Sequence, residues 1–379
     1  MKKLLSAIIL VTIIAIGCIY NRDAELDKRN DGAFRLTHSQ GLKSCQNPAF
    51  SPDGKHILFT RFLNGYNKGP SELVRINIAT KVETVIIPAG EFDNVNIPGN
   101  SWIDGKITWA SDRAGWADEI YIANEDGINI QQVTDHGQDE DYNFIEPVFN
   151  PVDTNKIIFE YAPEGPQHLK SHRISLVEID KNSRITDLTS DSNCDDRLPN
   201  WSRDAKSIVF QRASVGQDNW QIYVADIELE PKPTLKNIRK IAPTSSHDTD
   251  SSWGFNDRYI LSSSDYNNIS VPNIYAFPVD QGNPIRITNS STNEDGAPSC
   301  SPDVKWVVFE SHRGQDENTP SDIWLKEISN VSSVILKGTE IYAFNGLPVS
   351  NGWGKDLVYK VTSIMYLLDP PITGGEGGI

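Results

Sequence analysis

The chain has 379 residues, of which 38% are hydrophobic and 23% are charged, a composition typical of globular proteins rather than disordered or fibrous ones. Acidic residues outnumber basic ones by 51 to 35, so the formal net charge is −16, and no basic cluster interrupts this excess. Because phosphate binding needs a basic surface, we expect no nucleic-acid partner. Four cysteines in a chain of this length exclude a disulfide-scaffolded fold.

The N-terminal segment has the pattern of an export signal. Lys2 and Lys3 precede an apolar run at 4–17, which has the length of a signal-peptide core and is too short to span a bilayer comfortably. The residues 15–18, Ala-Ile-Gly-Cys, resemble a bacterial lipobox, although a larger aliphatic residue usually stands where Ala15 does. The alternatives are an ordinary signal peptide or an anchor helix that happens to contain a cysteine.

The lipobox predicts a signal peptide at 1–17, a lipidated Cys18 and a polar tether at 18–32. Acyl chains on Cys18 would hold the protein at a membrane surface without spanning the membrane. Ile19 stands where an inner-membrane retention Asp would follow the lipidated cysteine. We therefore expect an outer-membrane lipoprotein of the bacterial envelope, on its periplasmic or its surface side.

A repeat of about fifty residues fills the remainder of the chain. Each copy has one residue, usually proline, that recurs at this spacing, and we call it the marker. A basic residue follows the marker in each copy, and an apolar triplet of strand character, such as Ile57-Leu58-Phe59, comes next. The seven marker residues are Pro48, Pro98, Pro147, Pro199, Ser251, Pro298 and Pro348. Short β-rich segments separated by Gly, Asn and Asp, without any helical period, indicate an all-β protein.

The repeat predicts an all-β fold, a β-propeller of seven blades, each a four-stranded antiparallel sheet, spanning 33–369. We expect residues 33–37 to supply the outer strand of the last blade, since Arg35-Leu36-Thr37 matches the ending of the fourth strand in other copies. The alternative is a six-bladed ring with 337–379 as an appendage. The glycine-rich tail at 370–379 is expected to be flexible.

Some turns of the repeat resemble the PD-type propeller repeats of TolB. The segments that carry the resemblance are Ser51-Pro52-Asp53-Gly54-Lys55, Ser301-Pro302-Asp303-Val304-Lys305 and Ser111-Asp112-Arg113-Ala114-Gly115. The motif forms a turn, so it predicts a fold and no chemistry. TolB proteins carry an α/β domain before a six-bladed propeller, whereas 14 residues separate Cys18 from residue 33 here. The resemblance therefore implies a TolB-like propeller that is not TolB itself.

The sequence contains no local catalytic motif. Gly-x-Ser-x-Gly, phosphate-loop and dinucleotide patterns are absent. His168 and His172 have a metal-ligand spacing, but their position favours a surface loop. Oligogalacturonate lyases use a histidine-rich metal site, and no such cluster occurs here. Cys45, Cys194 and Cys300 are expected to be mostly free, buried thiols.

Acidic residues occur in the loops before the first strand of several blades. In a propeller these loops meet around the central channel, so the pattern predicts a negative channel mouth that suits Ca²⁺ or a basic segment of a partner. The alternative is that these residues only make solvated turns. The candidate residues are Asp139, Asp141, Asp195, Asp196, Asp248, Asp250, Glu294 and Asp295.

These features predict a non-catalytic envelope lipoprotein whose propeller is a protein–protein interaction scaffold. The alternative is an envelope carbohydrate-binding protein, or a polysaccharide-acting lyase or hydrolase, with a site at the channel mouth. Trp116 and Trp220 lie in loops where exposed rings would suit a glycan or a protein hot spot, while Trp201 and Trp253 are expected in the blade core.

Overall fold

The structure is a computed structural model that describes residues 31–90, 102–115, 117–137, 142–163, 171–241, 246–280, 282–313, 320–329 and 331. These residues form β-strands joined by turns, with a short 3-10 helix at Ile179–Lys181 and helical residues at 329 and 331. In chain order the strands are β1 (Phe34–Arg35), β2 (Ser44–Phe50), β3 (His56–Phe62), β4 (Ser71–Asn77), β5 (Glu83–Ile87), β6 (Trp102–Ile103), β7 (Lys106–Ser111), β8 (Glu119–Asn124), β9 (Gln131–Gln132), β10 (Tyr142–Asn150), β11 (Asp153–Pro163), β12 (Arg173–Glu178), β13 (Arg184–Asp187), β14 (Cys194–Trp201), β15 (Ser207–Ser214), β16 (Gln221–Glu228), β17 (Thr234–Lys240), β18 (Asp248–Gly254), β19 (Tyr259–Ser264), β20 (Asn273–Pro278), β21 (Ile285–Arg286), β22 (Asp295–Cys300), β23 (Trp306–Ser311) and β24 (Asp322–Glu327).

The strands form six four-stranded antiparallel sheets, each of which is one blade of a propeller. Blades one to five take four consecutive strands each, from β2–β5 to β18–β21, and blade six joins β22–β24 to β1. The predicted all-β propeller of four-stranded blades is confirmed. The prediction of seven blades is wrong, and the six-bladed alternative is the one that the structure has.

Blade six lies directly against blade one, which leaves no room between them for a seventh blade. Phe59 of blade one shares a buried hydrophobic cluster with Val308 and Ile323 of blade six. The backbone N–H of Asn47 also donates to Glu310 Oε2 across the same boundary, at 2.7 Å. The repeat pattern marks the strands of each copy, but it does not show whether that copy forms a blade of the propeller. Counting the copies in the sequence therefore predicted seven blades.

The chain closes the ring with its N-terminal strand, as predicted for residues 33–37. β1 pairs with β24, so that Phe34 lies opposite Leu325 and Arg35 opposite Trp324. The strand thus completes the sixth blade rather than a seventh one. Because the two ends of the propeller are paired in one sheet, neither is left with an open edge.

A threonine at the end of the fourth strand repeats from blade to blade. In four blades its hydroxyl oxygen accepts the backbone N–H of an isoleucine in the third strand, at 2.9 Å each time. These threonines are Thr37, Thr134, Thr189 and Thr288. Thr37, near the N-terminal end of the described chain, makes the same bond as the three internal copies, which explains why Arg35-Leu36-Thr37 could be recognised as a fourth strand.

The second strand of each blade is the middle layer of the core. Ile57, Leu58 and Phe59 are fully buried, as the apolar triplets predict. Leu58 packs towards blade two, in a cluster with Trp109, while Phe59 packs towards blade six. A strand with a neighbour on both faces needs a continuous apolar run rather than an alternating one.

Residue contacts divide the chain into two units, Met1–Ser329 and Asn330–Ile379, and every strand given above belongs to the first. The predicted signal peptide, Cys18, the seventh repeat copy and the boundary at 369 with its tail all lie outside the described residues. None of the helical segments in the described part of the chain has the length and hydropathy that crossing a bilayer requires.

Candidate functional site

The marker position of the repeat lies at a bulge in the first strand of the blade. In five blades the residue before the marker has a left-handed φ of 45–54° and interrupts the strand register. These bulge residues are Asn47, Glu146, Leu198, Asp250 and Ala297. Together with four of the markers, Pro48, Pro199, Ser251 and Pro298, they line a narrow point of about 40 Å³. Three of the prolines that revealed the repeat, Pro48, Pro199 and Pro298, therefore lie at this narrow point.

Side chains of the second strand connect three of these bulges to the preceding blade. Glu160 Oε2 accepts the backbone N–H of Leu198 at 3.0 Å, and Gln211 Oε1 accepts that of Asp250 at 3.1 Å. Glu310 Oε2 accepts the N–H of Asn47, which joins blade six to blade one. Glu310 was not among the predicted site residues, because the prediction covered acidic residues in the loops and Glu310 lies within the second strand of blade six.

Three of the predicted acidic residues are bound to arginine rather than free at the channel mouth. Asp196 forms two hydrogen bonds with Arg212, at 2.5 and 2.9 Å, and Asp195 pairs with Arg197 at 2.7 Å. A buried carboxylate needs a charged or hydrogen-bonding partner, and in these pairs the arginine is that partner. The pairs therefore have a structural role within the blade.

Asp295 in blade six is held in the same way, by Arg313 at 2.5 and 2.8 Å. Arg313 also binds both carboxylate oxygens of Asp31, each at 2.9 Å, so the predicted tether is already attached to the propeller at its residue 31. The paired aspartates do not form the free acidic face that the sequence predicts.

The other predicted residues lie in blade five and in the loop that leads to blade six. Asp248 is buried and accepts hydrogen bonds from the hydroxyls of Ser246 and Ser264, at 2.9 and 2.6 Å. Burial raises the pKa of Asp248 to about 6. Asp250 and Glu294 face an open cavity, whereas Asp139 and Asp141 lie outside the described residues.

The acidic cavity, as we call it, has a volume of about 440 Å³ and opens on the face formed by the loops that precede the first strands. Its walls include Tyr66, Asp250, Glu294, Glu310 and His312. Tyr66 Oη donates to Glu310 Oε1 at 2.9 Å, while the Tyr66 residue as a whole remains 44% exposed. In the described part of the chain, no Lys or Arg forms an ion pair with these three carboxylates.

The pKa values of all three carboxylates of the acidic cavity are raised, first by burial. Burial, followed by the charges of Asp250 and Glu294, raises the pKa of Glu310 to about 8. Burial and the charge of Asp250 raise the pKa of Glu294. Burial also raises the pKa of Asp250, and hydrogen bonds from Ala297 and Thr249 and the charge of His247 partly offset this rise. The charge of Glu310 in turn raises the pKa of the Tyr66 hydroxyl. The cavity therefore retains a proton near neutral pH that a bound cation would displace.

Solved structures share this architecture. An oligogalacturonate lyase from Vibrio parahaemolyticus superposes with a TM-score of 0.51 at 14% identity, covering 79% of this chain and 94% of its own. A TolB candidate from Agrobacterium tumefaciens gives a TM-score of 0.51 at 16% identity, covering 78% of this chain and 96% of its own. The chain has a TolB-like β-propeller fold. No family profile and no curated protein sequence matches it.

The TolB-like propeller does not assemble a metal site from the residues that the structure describes. Among them, no three His, Cys, Asp or Glu side chains are grouped so as to hold an ion, and the Ca²⁺ prediction finds no support in the acidic cavity. His172 is buried, and its Nδ1 lies 2.5 Å from Glu160 Oε1, so it is not the surface-loop residue that we expected. His168 lies outside the described residues.

The remaining predictions concern cysteine and tryptophan. Cys45, Cys194 and Cys300 are free thiols as expected, although only Cys45 is fully buried. Trp201 is fully buried in the core, while Trp253 is half-buried. Trp220 is buried too, and the Arg197 guanidinium lies 4.8 Å from its ring centre. It is therefore not the exposed ring that a glycan would stack on. Trp116 lies outside the described residues.

Proposed function

We propose that this TolB-like propeller is a non-catalytic interaction module of the bacterial envelope that binds a basic side chain of a protein or peptide partner in the acidic cavity. The lipobox supports the envelope location, with lipid attached to Cys18 and an outer-membrane position indicated by Ile19. In this proposal the lipid holds the propeller at the membrane and the acidic cavity receives the partner.

The observation that carries the proposal is the group of three carboxylates that share one open cavity without a basic partner in the described chain. Elsewhere around the same channel, Asp195, Asp196 and Asp295 each have an arginine. Burying carboxylates without a countercharge is unfavourable, so a Lys or Arg side chain entering the cavity would gain their attraction. The exposed ring of Tyr66 would add a cation–π contact.

The same geometry favours binding over catalysis. A carboxyl with a raised pKa could donate a proton to a substrate, and Glu310 has such a pKa. However, its Oε1 accepts from Tyr66 Oη and its Oε2 accepts from the Asn47 N–H, so protein donors occupy both oxygens. Glu310 therefore contributes charge to the cavity. Asp250 accepts from the Ala297 N–H at 3.3 Å and Glu294 Oε1 accepts from the Ser263 hydroxyl at 3.0 Å, and in this proposal their remaining acceptor capacity contacts the ligand.

The proposal is tested by calorimetric titration with an acetylated, amidated Gly-Gly-Lys-Gly-Gly peptide. We expect the Asp250→Asn/Glu294→Gln variant to bind about tenfold more weakly, the loss that corresponds to roughly 1.4 kcal/mol. The matched control, Glu228→Gln/Asp280→Asn, removes the same charge from exposed residues at the opposite ends of the blades and should bind as the wild type does. Equal binding by all three proteins, or no binding by the wild type, would contradict the proposal.

A further inference from the structure

Each arginine that binds one of the predicted aspartates also lies over an aromatic ring. The guanidinium donates to the carboxylate while its central carbon lies 4.8–5.1 Å from the ring centre. The three groups are Asp195 with Arg197 and Trp220, Asp196 with Arg212 and Tyr223, and Asp295 with Arg313 and Phe309. A guanidinium makes both contacts at once, because its N–H groups point outwards in its plane and its face is left for the ring. A carboxylate, a guanidinium and a ring thus recur together in this propeller.

The acidic cavity has the carboxylates and the ring of this group without the arginine. Its three carboxylates form no ion pair with a Lys or Arg of the described chain. Tyr66 supplies the ring, and it is 44% exposed, whereas Trp220 beneath Arg197 is 9% exposed. His312 lies beside Tyr66, with 5.0 Å between the ring centres, so the two rings belong to one wall of the cavity. An aromatic surface is therefore accessible next to carboxylates that have no countercharge in the described residues.

A buried amide adds a neutral oxygen to the same wall of acceptors. Asn293 lines the acidic cavity and is 8% exposed. Its backbone N–H donates to Ser290 Oγ at 3.3 Å, but its side-chain Oδ1 has no hydrogen-bond partner among the residues that the structure describes. Buried polar groups in folded proteins are nearly always hydrogen-bonded, because leaving one unpaired is unfavourable. The oxygen therefore indicates a ligand that brings N–H donors into the cavity.

Gly296 keeps the space between two of the carboxylates open. A Cβ at this position would lie 3.3 Å from Asp250 Oδ2 and 3.8 Å from Glu310 Oε1, so the two oxygens flank one backbone position. Glu294 and Asn293 follow one another in the loop just before it. The acceptors are thus spread over several sides of the cavity. A guanidinium presents five N–H donors from three nitrogens, whereas an ammonium presents three donors from one atom, so the guanidinium suits this spread better.

We propose that the acidic cavity selects arginine over lysine, with the partner's guanidinium lying against the Tyr66 ring. In this arrangement the guanidinium donates to Asp250, Glu294 and Asn293 Oδ1, as the internal arginines donate to their aspartates. A guanidinium is more weakly hydrated than an ammonium, so taking it out of water into the cavity is less unfavourable. The volume of about 440 Å³ also admits the backbone next to the arginine. The inference rests on the proposed function and adds the identity of the basic side chain.

Calorimetric titration of the wild type with three acetylated, amidated peptides tests the selectivity. The peptides are Gly-Gly-Arg-Gly-Gly, Gly-Gly-Lys-Gly-Gly and the same sequence with citrulline, the uncharged analogue of arginine. We expect the arginine peptide to bind about tenfold more tightly than the lysine peptide, and the citrulline peptide to bind at least about tenfold more weakly than the arginine peptide. Equal binding of the two charged peptides, or tighter binding of lysine, would overturn this inference and leave the proposed function standing. Failure of both charged peptides to bind, or equal binding of citrulline and arginine, would contradict both.

Two variants of Tyr66 test whether its ring is the source of the selectivity. Tyr66 is exposed, so the fold should tolerate both changes. Tyr66→Leu removes the ring, and the preference for the arginine peptide should fall to about twofold or less. Tyr66→Phe keeps the ring and removes only the hydroxyl that binds Glu310, so the affinities for both peptides should shift together and their ratio should stay near tenfold. A tenfold ratio in both variants, or its loss in both, would overturn the inference.

Discussion

Blades four and five have an aspartate at the same position of the first strand, but the residue that binds it differs. Asp196 pairs in register with Arg212, and Asp248 pairs in register with Ser264. The arginine forms a two-point ion pair with its aspartate, whereas the serine gives Asp248 a single neutral hydrogen bond. Between these two blades, the residue opposite the aspartate on the second strand thus determines whether the carboxylate is held by an ion pair or by neutral hydrogen bonds.

The difference also explains where the acidic cavity forms. Blade six also binds its aspartate with an arginine, but Asp295 lies in register with Ser311, and Arg313 comes two residues beyond the end of that strand. Blade five carries serines at Ser262, Ser263 and Ser264 and has no arginine in that strand. The carboxylates near blade five are therefore left without a basic neighbour in the described chain, which is the condition under which an external cation binds well.

The largest effect is expected from Asp196→Asn. The change keeps the shape of the side chain but leaves the half-buried Arg212 without its countercharge, so the free energy of unfolding should fall by about 3 kcal/mol. Denaturant unfolding measures this value. The control is Glu228→Gln, since Glu228 forms an exposed pair with Lys236 and should matter little. A loss no greater than that of the control would show that the two-point pair does not stabilise blade four.

A smaller effect of opposite sign is expected from Asp248→Asn. The pKa of Asp248 rises from 3.8 to about 6 on folding, so ionised Asp248 makes the folded state less stable above that range. The variant should be more stable than the wild type by on the order of 2 kcal/mol at pH 8, and equal to it near pH 3. Unfolding curves at both pH values measure the difference. A destabilised variant at pH 8 would contradict the comparison of the two blades.

The sequence predicted the architecture well because local chemistry determines it. The repeated apolar triplets mark the second strands, and the apolar-Thr ending identified residues 33–37 as a fourth strand before any pairing was known. The number of blades could not be predicted in this way. Ring closure depends on whether the sixth copy packs against Phe59 and Asn47 of the first, a contact between residues far apart in the chain.

The site was less predictable, since charge in a loop does not reveal its partner. Arg197 lies two residues from Asp195 on the same strand, and Arg212 lies opposite Asp196 on the next strand. Arg313 lies beyond the strand next to Asp295, so only the folded structure shows that these pairs meet. Glu310 was missed because it sits inside an apolar strand, where a lone carboxylate is itself the signal. A buried acidic residue without a basic neighbour in register would have been the better criterion.

The most direct test of the central claim is whether cation binding displaces protons from the acidic cavity. The Lys peptide is titrated at pH 7 in two buffers whose ionisation enthalpies differ, and the change in apparent binding enthalpy gives the number of protons exchanged. With the pKa of Glu310 at about 8 in the free protein, binding should release part of a proton to the buffer. The release should disappear in the Asp250→Asn/Glu294→Gln variant. Binding without proton release, or with proton uptake, would contradict the assignment of this cavity as the cation site.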